Sequence, residues 1–307
     1  MGETAAMATT DSIEIIDAQI HEPFPAVPLT EEQAPLLSLF QVELAREAMD
    51  ATGVDMALAV TNDAFIDLAH QRYPGRFPGV HTFFPIRPDM AEDVRAVRAN
   101  PAMVAGRALV GNFLDATMRP EFDEGVFDSL YATAAKVGLP IFNSTHGGCA
   151  KMARIAERHP ELTLIIDHIG VAQHPVSPPE TMSWRTFPDL LELARFPNIA
   201  VKLCGAPLLS DEQFPFEDVW PKLEQLFAAF GVDRVMWGSD YTRMRIADLP
   251  KGDRPRKRGL SYADSKDWLL RSDRIGIADK RWLFGGTARR LLDLPPISAD
   301  WGPPPMR

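Results

Sequence analysis

The apolar positions of this chain fall into short runs separated by longer stretches of helical periodicity. Ile15, Ile16 and Ile20 mark an opening strand. Within it Asp17, Gln19 and His21 take alternate positions, and successive strand side chains point to opposite faces, so the three are expected on one face. An acid, an amide and an imidazole on a buried strand are costly unless they meet a ligand or one another. Further runs predict strands over residues 56–60, 80–84, 107–110, 140–143, 162–166, 199–203 and 235–237. The intervening periodicity predicts helices over 39–51, 64–71, 90–98, 124–137, 150–158, 190–194 and 220–230, with a last helix over 280–292. Gly53 and Gly138 stand where helix ends favour a left-handed residue.

Eight strands, each followed by helix or loop, predict a single-domain α/β fold, a (β/α)8 TIM barrel over residues 13–292. A doubly wound open sheet would also alternate this way, but it usually carries a glycine-rich turn after its first strand. Here that place holds Asp17-Ala18-Gln19-Ile20-His21-Glu22-Pro23. Two connections are long, residues 171–186 after the sixth strand and 241–262 after the eighth. Long loops in compact domains tend to be lids or binding loops, and both leave the strand ends where barrels place their sites. Residues 1–12 are small and polar and are read as a disordered leader, and 293–307 as a proline-rich tail.

Charge and cysteine content narrow the setting. The formal net charge of -10 argues against nucleic acid or an anionic membrane as partner. No apolar run reaches membrane-spanning length. Two cysteines, Cys149 and Cys204, are too few for a disulfide framework, which points to a reducing cytoplasm. Each is read as a small buried hydrophobe.

The chemistry-bearing residues gather at the predicted strand ends. Asn143 and His146 follow the fifth strand, Asp167 and His168 end the sixth, Lys202 and Cys204 end the seventh, and Asp240 follows the eighth. With Gln19 and His21 they converge on one mouth of a barrel. A lone histidine at a strand end is usually structural, and His70, His81, His159 and His174 are read so. A lone aspartate after a strand is commonly a helix N-cap. The joint placement of His21, His146, His168 and Asp240 outweighs those readings.

These motifs, in order, are D-x-Q-x-H after strand one, T-H-G-G after strand five, D-H-x-G after strand six, N-x-x-V-K-L-C-G at strand seven and W-G-S-D after strand eight. Together they resemble the amidohydrolase-2 branch of the amidohydrolase superfamily. Relatives there include aminocarboxymuconate semialdehyde decarboxylase and pyrone dicarboxylate lactonase. The resemblance implies a barrel with its site at the C-terminal mouth. It implies Asp240, His168 and His146 as catalytic residues and His21, His146 and Asp240 as ligands if a metal is bound. It places Arg107 and Lys202 where members carry cations, as substrate contacts or as ion pairs inside the barrel.

The chain departs from the pattern at Gln19, where the first histidine of the strand-one pair is expected. An amide oxygen is a poorer zinc ligand than an imidazole. Two readings follow: no tightly bound cofactor, or one divalent metal, zinc or manganese, at a site weakened by Gln19. The resemblance allows the first, since the branch looks to include metal-independent lactonases. Thr287, where the family more often has asparagine, is given no role.

The expected reaction is hydrolysis of a small lactone or cyclic ester, with Asp240 as general base on a water. Gln19, Arg107, Lys202 and Arg243 are the substrate-binding candidates; Arg243 is suited to a two-pronged contact with a carboxylate. Lys251, Arg254, Arg256, Lys257 and Arg258 form a solvated basic face or draw an anionic substrate to an acidic protein. Non-oxidative decarboxylation of an aromatic or unsaturated acid is the alternative, and a barrel that binds without catalysis the second. The partner is a small molecule, and a homo-oligomer is left open.

Overall fold

In a computed structural model of the chain, eight parallel strands pair in chain order: β1 (Ile16–Ile20), β2 (Met56–Ala59), β3 (Gly79–Phe83), β4 (Met103–Ala108), β5 (Ile141–Asn143), β6 (Leu164–Ile166), β7 (Ile199–Leu203) and β8 (Val235–Trp237). Helices such as Gln33–Thr52, Asp63–Arg72, Asp128–Val137 and Trp220–Phe230 lie in the connections. This is the expected (β/α)8 barrel. The structure describes residues 13–24, 30, 33–85, 89–112, 115, 117–172, 184–247 and 260–296. The expected leader, the end of the tail (297–307), His174, the basic run 251–258 and much of both long loops lie outside the described residues. Among the described residues no helix is long and apolar enough to cross a membrane.

Boundaries moved where a glycine or proline interrupts the pattern. The fourth strand starts four residues before its expected first residue, at Met103. Gly106 obscures it in the sequence. A Cβ at that position would stand 2.5 Å from Phe83 Cε2 and 2.9 Å from Ile141 Cδ1, so only glycine lets the neighbouring strands close. The helix expected over 124–137 starts at Asp128 and runs to Val137, and a separate short helix, Pro120–Asp123, precedes it. Tyr262–Leu270, which lacks a strong apolar stripe, is a helix the pattern passed over.

The core has two parts. Outside the strands, apolar side chains pack under the helices. Inside the barrel, Leu58, Ala105, Phe142, Ile165, Ala200 and Met236 form a separate buried cluster. Alternation along a strand then dictates what lies one step nearer the carboxyl end. Two residues after Ala105, Phe142, Ile165, Ala200 and Met236 come Arg107, Ser144, Asp167, Lys202 and Gly238. An apolar plug is thus capped by a polar layer, and Gly238 leaves room for the stem of Lys202, whose Cδ would lie 3.4 Å from a Cβ there.

β1 corrects one expectation. Ile16 and Ala18 face the barrel interior. Asp17 points the other way, and the register with β2 shifts between Asp17 and Ile20. This irregularity re-aims Gln19 and His21 inward, so the three polar residues do not share one face. Asp17 instead closes the barrel. β1 and β8 are the two ends of the hydrogen-bonded order. The Asp17 carboxylate accepts hydrogen bonds from Ser239 N (2.7 Å), Gln19 N (3.0 Å) and Ser239 Oγ, while Asp240 N donates to Gln19 O (3.0 Å).

Burial pushes the Asp17 carboxyl up to about 6, against the hydrogen bonds that lower it. A raised folded-state value means that this group's contribution is complete below the ordinary aspartate value near 4. It is lost as pH rises through about 6. Asp17→Asn removes the charge and keeps an oxygen for the two N–H donors. Its stability relative to wild type should therefore improve between pH 4 and 7, by on the order of 2–3 kcal/mol. Thermal or urea unfolding of both proteins across that range checks this; a difference independent of pH would contradict it.

Candidate active site

The carboxyl ends of β1, β5, β6, β7 and β8 carry the candidate residues, as the barrel pattern implies. Three of them, His146, His168 and Asp240, have left-handed backbone, with φ of 46°, 53° and 47°. Such conformations are uncommon for residues other than glycine, asparagine and aspartate and cost free energy unless the surroundings fix them. Beside His146 the fixing contact is close. Gly111 N donates to Ser144 O at 2.7 Å, and a Cβ at Gly111 would lie 2.5 Å from the Thr145 carbonyl carbon.

A hydrogen-bonded network fills the polar layer. Asp167, wholly buried, lies 2.6 Å from Arg107 Nε and 2.7 Å from Lys202 Nζ. Burial alone would raise its carboxyl; the Lys202 and Arg107 cations hold it well below the usual range. Arg107 Nη2 donates to Ser144 Oγ (3.3 Å), which lies 2.8 Å from His146 Nε2. Among the described residues Ser144 Oγ has these two partners. It accepts from Arg107, and toward His146 Nε2 it donates when the imidazole proton sits on Nδ1. Burial, then the neighbouring His168 and Arg107, push His146 down to about 3, so the ring is neutral at any working pH.

On the other side Lys202 donates to Gln19 Oε1, and the Gln19 amide nitrogen lies 3.1 Å from His21 Nε2. His21 Nε2 is 3.2 Å from Asp240 Oδ1, and His168 Nε2 hydrogen-bonds Asp240 Oδ2 at 3.1 Å. Burial would raise the Asp240 carboxyl, but the His168 hydrogen bond and the adjacent His21 outweigh it and keep the carboxyl far below its ordinary range. Asp240 is therefore ionised throughout. It is not serving as the side-chain cap of the helix Tyr241–Ala247: Ser239 Oγ accepts the Tyr241 N–H at 3.1 Å, and both Asp240 oxygens face imidazoles.

The structure brings together Asp240, His168 and His21, and joins Gln19 and Lys202 to them. Arg107 and Lys202 lie inside the barrel, ion-paired with Asp167. Arg243 is half-buried in the first turn of helix Tyr241–Ala247, its N–H on the Asp240 carbonyl at 2.9 Å. His146 Nε2 lies 2.8 Å from Ser144 Oγ. Among the described residues, the histidine, cysteine and acidic side chains whose ligand atoms all lie within 4.8 Å are His168, Cys204 and Asp240. Burial, then Asp240, pushes the Cys204 thiol well up, so it is protonated. Ser144 and Ser239 were missed from sequence. Their signal is position: each hydroxyl stands within two residues of a candidate, Ser144 before His146 and Ser239 before Asp240.

The strand-one place where the resemblance implies a metal ligand does not fit a divalent cation. The Gln19 carbonyl oxygen is already taken by the Lys202 ammonium, and an ion bound there would lie against that positive charge. The remaining amide face of Gln19 presents N–H donors, which do not ligate.

Two of the curated proteins that share sequence with this chain match it over 153 residues or more. One is 4-sulfomuconolactone hydrolase of Hydrogenophaga intermedia, 28% identical over 174 residues, 55% of this chain and 54% of that protein. The other is L-fucono-1,5-lactonase of Burkholderia ambifaria, 35% identical over 153 residues, 47% of this chain and 46% of that protein. The matched region spans about half the length of each. A crystal structure of an amidohydrolase from Burkholderia multivorans with bound zinc superposes with a TM-score of 0.68 at 20% identity, covering 92% of this chain and 100% of that one. That likeness speaks for the fold. The model of the amidohydrolase family matches residues 16–294, nearly the whole barrel, and the chain belongs to that family.

Proposed function

We propose that this protein is a hydrolase that opens a small lactone or related cyclic ester with water, Asp240 acting as general base. The observation that carries this reading is Asp240 itself. It is a buried, ionised carboxylate at the barrel mouth, its Oδ2 held by His168 and its Oδ1 without a hydrogen bond among the described residues. A buried carboxylate oxygen left in that state is costly unless a ligand or reacting water supplies the proton. The lactone-hydrolysing names of the two curated relatives support the same class of substrate.

In this mechanism Asp240 Oδ1 takes a proton from water as the water oxygen attacks the ester carbonyl carbon. His146, neutral and protonated on Nδ1, donates to the developing oxyanion. The ring C–O bond then breaks, and the leaving oxygen receives the proton from Asp240. The depressed carboxyl keeps Asp240 ionised and so able to accept a proton, and once protonated it returns that proton readily to the leaving oxygen; the same depression weakens it as a base toward water. Arg243 contacts a carboxylate on the substrate, which makes the substrate anionic. Gln19, Arg107 and Lys202 act from within the barrel. No step uses a metal, because the Gln19 and Lys202 pair does not fit one.

Asp240→Asn should lower kcat about 10²–10⁴-fold, the usual contribution of a general base, with the native fold retained by circular dichroism. A screen over lactones and aromatic acids identifies the substrate first. Release of carbon dioxide would favour the decarboxylase, and binding without turnover a non-catalytic barrel; survival of activity in the variant would remove Asp240 from the role of base. The same assay should be insensitive to a chelator, and protein purified without chelator should carry less than stoichiometric zinc or manganese by elemental analysis. One tightly held equivalent that activity requires would overturn the metal-free mechanism.

A further inference from the structure

Lys202 is a fully buried lysine on β7, and its ammonium group is satisfied on several sides. Asp167 Oδ1 lies 2.7 Å away, Gln19 Oε1 accepts a hydrogen bond, and the Phe142 ring centroid is 4.5 Å away. A buried lysine with an ionised partner and a π face stays charged. A charged ammonium has only donors, which settles the orientation of the Gln19 amide: the oxygen faces Lys202 and the NH₂ faces the other way.

The other way is His21. The Gln19 amide nitrogen stands 3.1 Å from His21 Nε2. An NH₂ group donates, so this imidazole nitrogen accepts, and the His21 proton belongs on Nδ1. That assignment has a consequence 3.2 Å away. His21 Nε2 then has no proton to give Asp240 Oδ1, although the two atoms are close. The geometry agrees, since among the described residues Asp240 Oδ1 is without a hydrogen bond while Oδ2 has His168. Two electron pairs face one another across the site, the arrangement that receives a proton-bearing molecule.

We propose that Lys202 and Gln19 are positioning residues that fix His21 as the Nδ1-protonated tautomer and thereby leave Asp240 Oδ1 open as the reacting oxygen. The role of Asp240 rests on the hydrolase reading above; the tautomer does not. Lys202 acts through Gln19, and Gln19 through His21, so neither needs to touch the substrate. The relay also gives Gln19 a positive role at the position where the resemblance leads one to expect histidine. A histidine there would not present an acceptor to Lys202 and a donor to His21 across the same short span as an amide does.

The tautomer is readable without any substrate. In ¹⁵N-labelled full-length protein, two-bond ¹H–¹⁵N spectra distinguish a protonated from an unprotonated ring nitrogen. Comparison with His21→Gln assigns the His21 signals among the seven histidines. The expected result is His21 with Nδ1 protonated and Nε2 unprotonated. Gln19→Glu places an acceptor where the amide donor stood, so His21 should switch to Nε2–H. In a turnover assay that variant should lose about 10²-fold in kcat with KM within about twofold. Lys202→Met should give the same switch in part of the population, as the freed amide turns over. If that variant does not fold, the wild-type spectrum and Gln19→Glu still decide. A wild-type His21 protonated at Nε2, or a Gln19→Glu spectrum identical to wild type, overturns the relay. If the tautomer is as expected but Asp240→Asn retains turnover, the relay stands and the hydrolase mechanism fails.

Discussion

One buried carboxylate holds the site together. Asp167 sits in the barrel with Arg107 on one oxygen and Lys202 on the other, and none of the three has appreciable access to water. Burying a lone carboxylate or ammonium costs several kcal/mol even after relaxation, so each of these charges requires the others. From Arg107 the network runs through Ser144 to His146, and from Lys202 it runs through Gln19 to His21. Both arms of the site thus hang from Asp167. A buried ion cluster of this kind adds little net stability. What it supplies is direction: the Lys202 ammonium between Asp167 and Gln19 fixes which way the Gln19 amide faces.

The closure of the barrel and the placement of Asp240 are a single contact. Asp17 turns outward at the β1 irregularity and takes Ser239, the residue before Asp240. The Asp240 N–H meets the Gln19 carbonyl, so the strand end that carries Asp240 is tied to the strand end that carries Gln19. Because Asp17 is bound on the helix side, its titration acts on the seam rather than on the chemistry.

Much of this was legible in the sequence, for a physical reason. Strand positions alternate, so the apolar plug and the polar layer two residues later are written as pairs: Ala105 with Arg107, Phe142 with Ser144, Ile165 with Asp167, Ala200 with Lys202. The fold and the set of strand-end candidates follow from that rule. What did not follow is anything set by contacts between distant strands. The turn of Gln19 toward Lys202 depends on a register shift that leaves no compositional mark. Gly106 reads as a break, although it permits close packing. The pairing of Arg107 and Lys202 with Asp167 is a matter of three strands meeting, and no one of their sequences contains it.

The left-handed backbone at His146, His168 and Asp240 has a cost on the order of 1–3 kcal/mol each, and the cap at the end of β8 shows what the strain accomplishes. An aspartate at a helix start would ordinarily give its carboxylate to the first backbone N–H groups. Here Ser239 Oγ takes the Tyr241 N–H, and the Asp240 carbonyl takes the Arg243 and Met244 N–H groups. With φ at 47° the Asp240 side chain is turned away from that duty and toward His168 and His21. The serine and aspartate have divided a task that one residue normally performs. The division is what converts a helix cap into a free carboxylate oxygen at the barrel mouth, and a sequence reading that stops at the aspartate cannot separate the two.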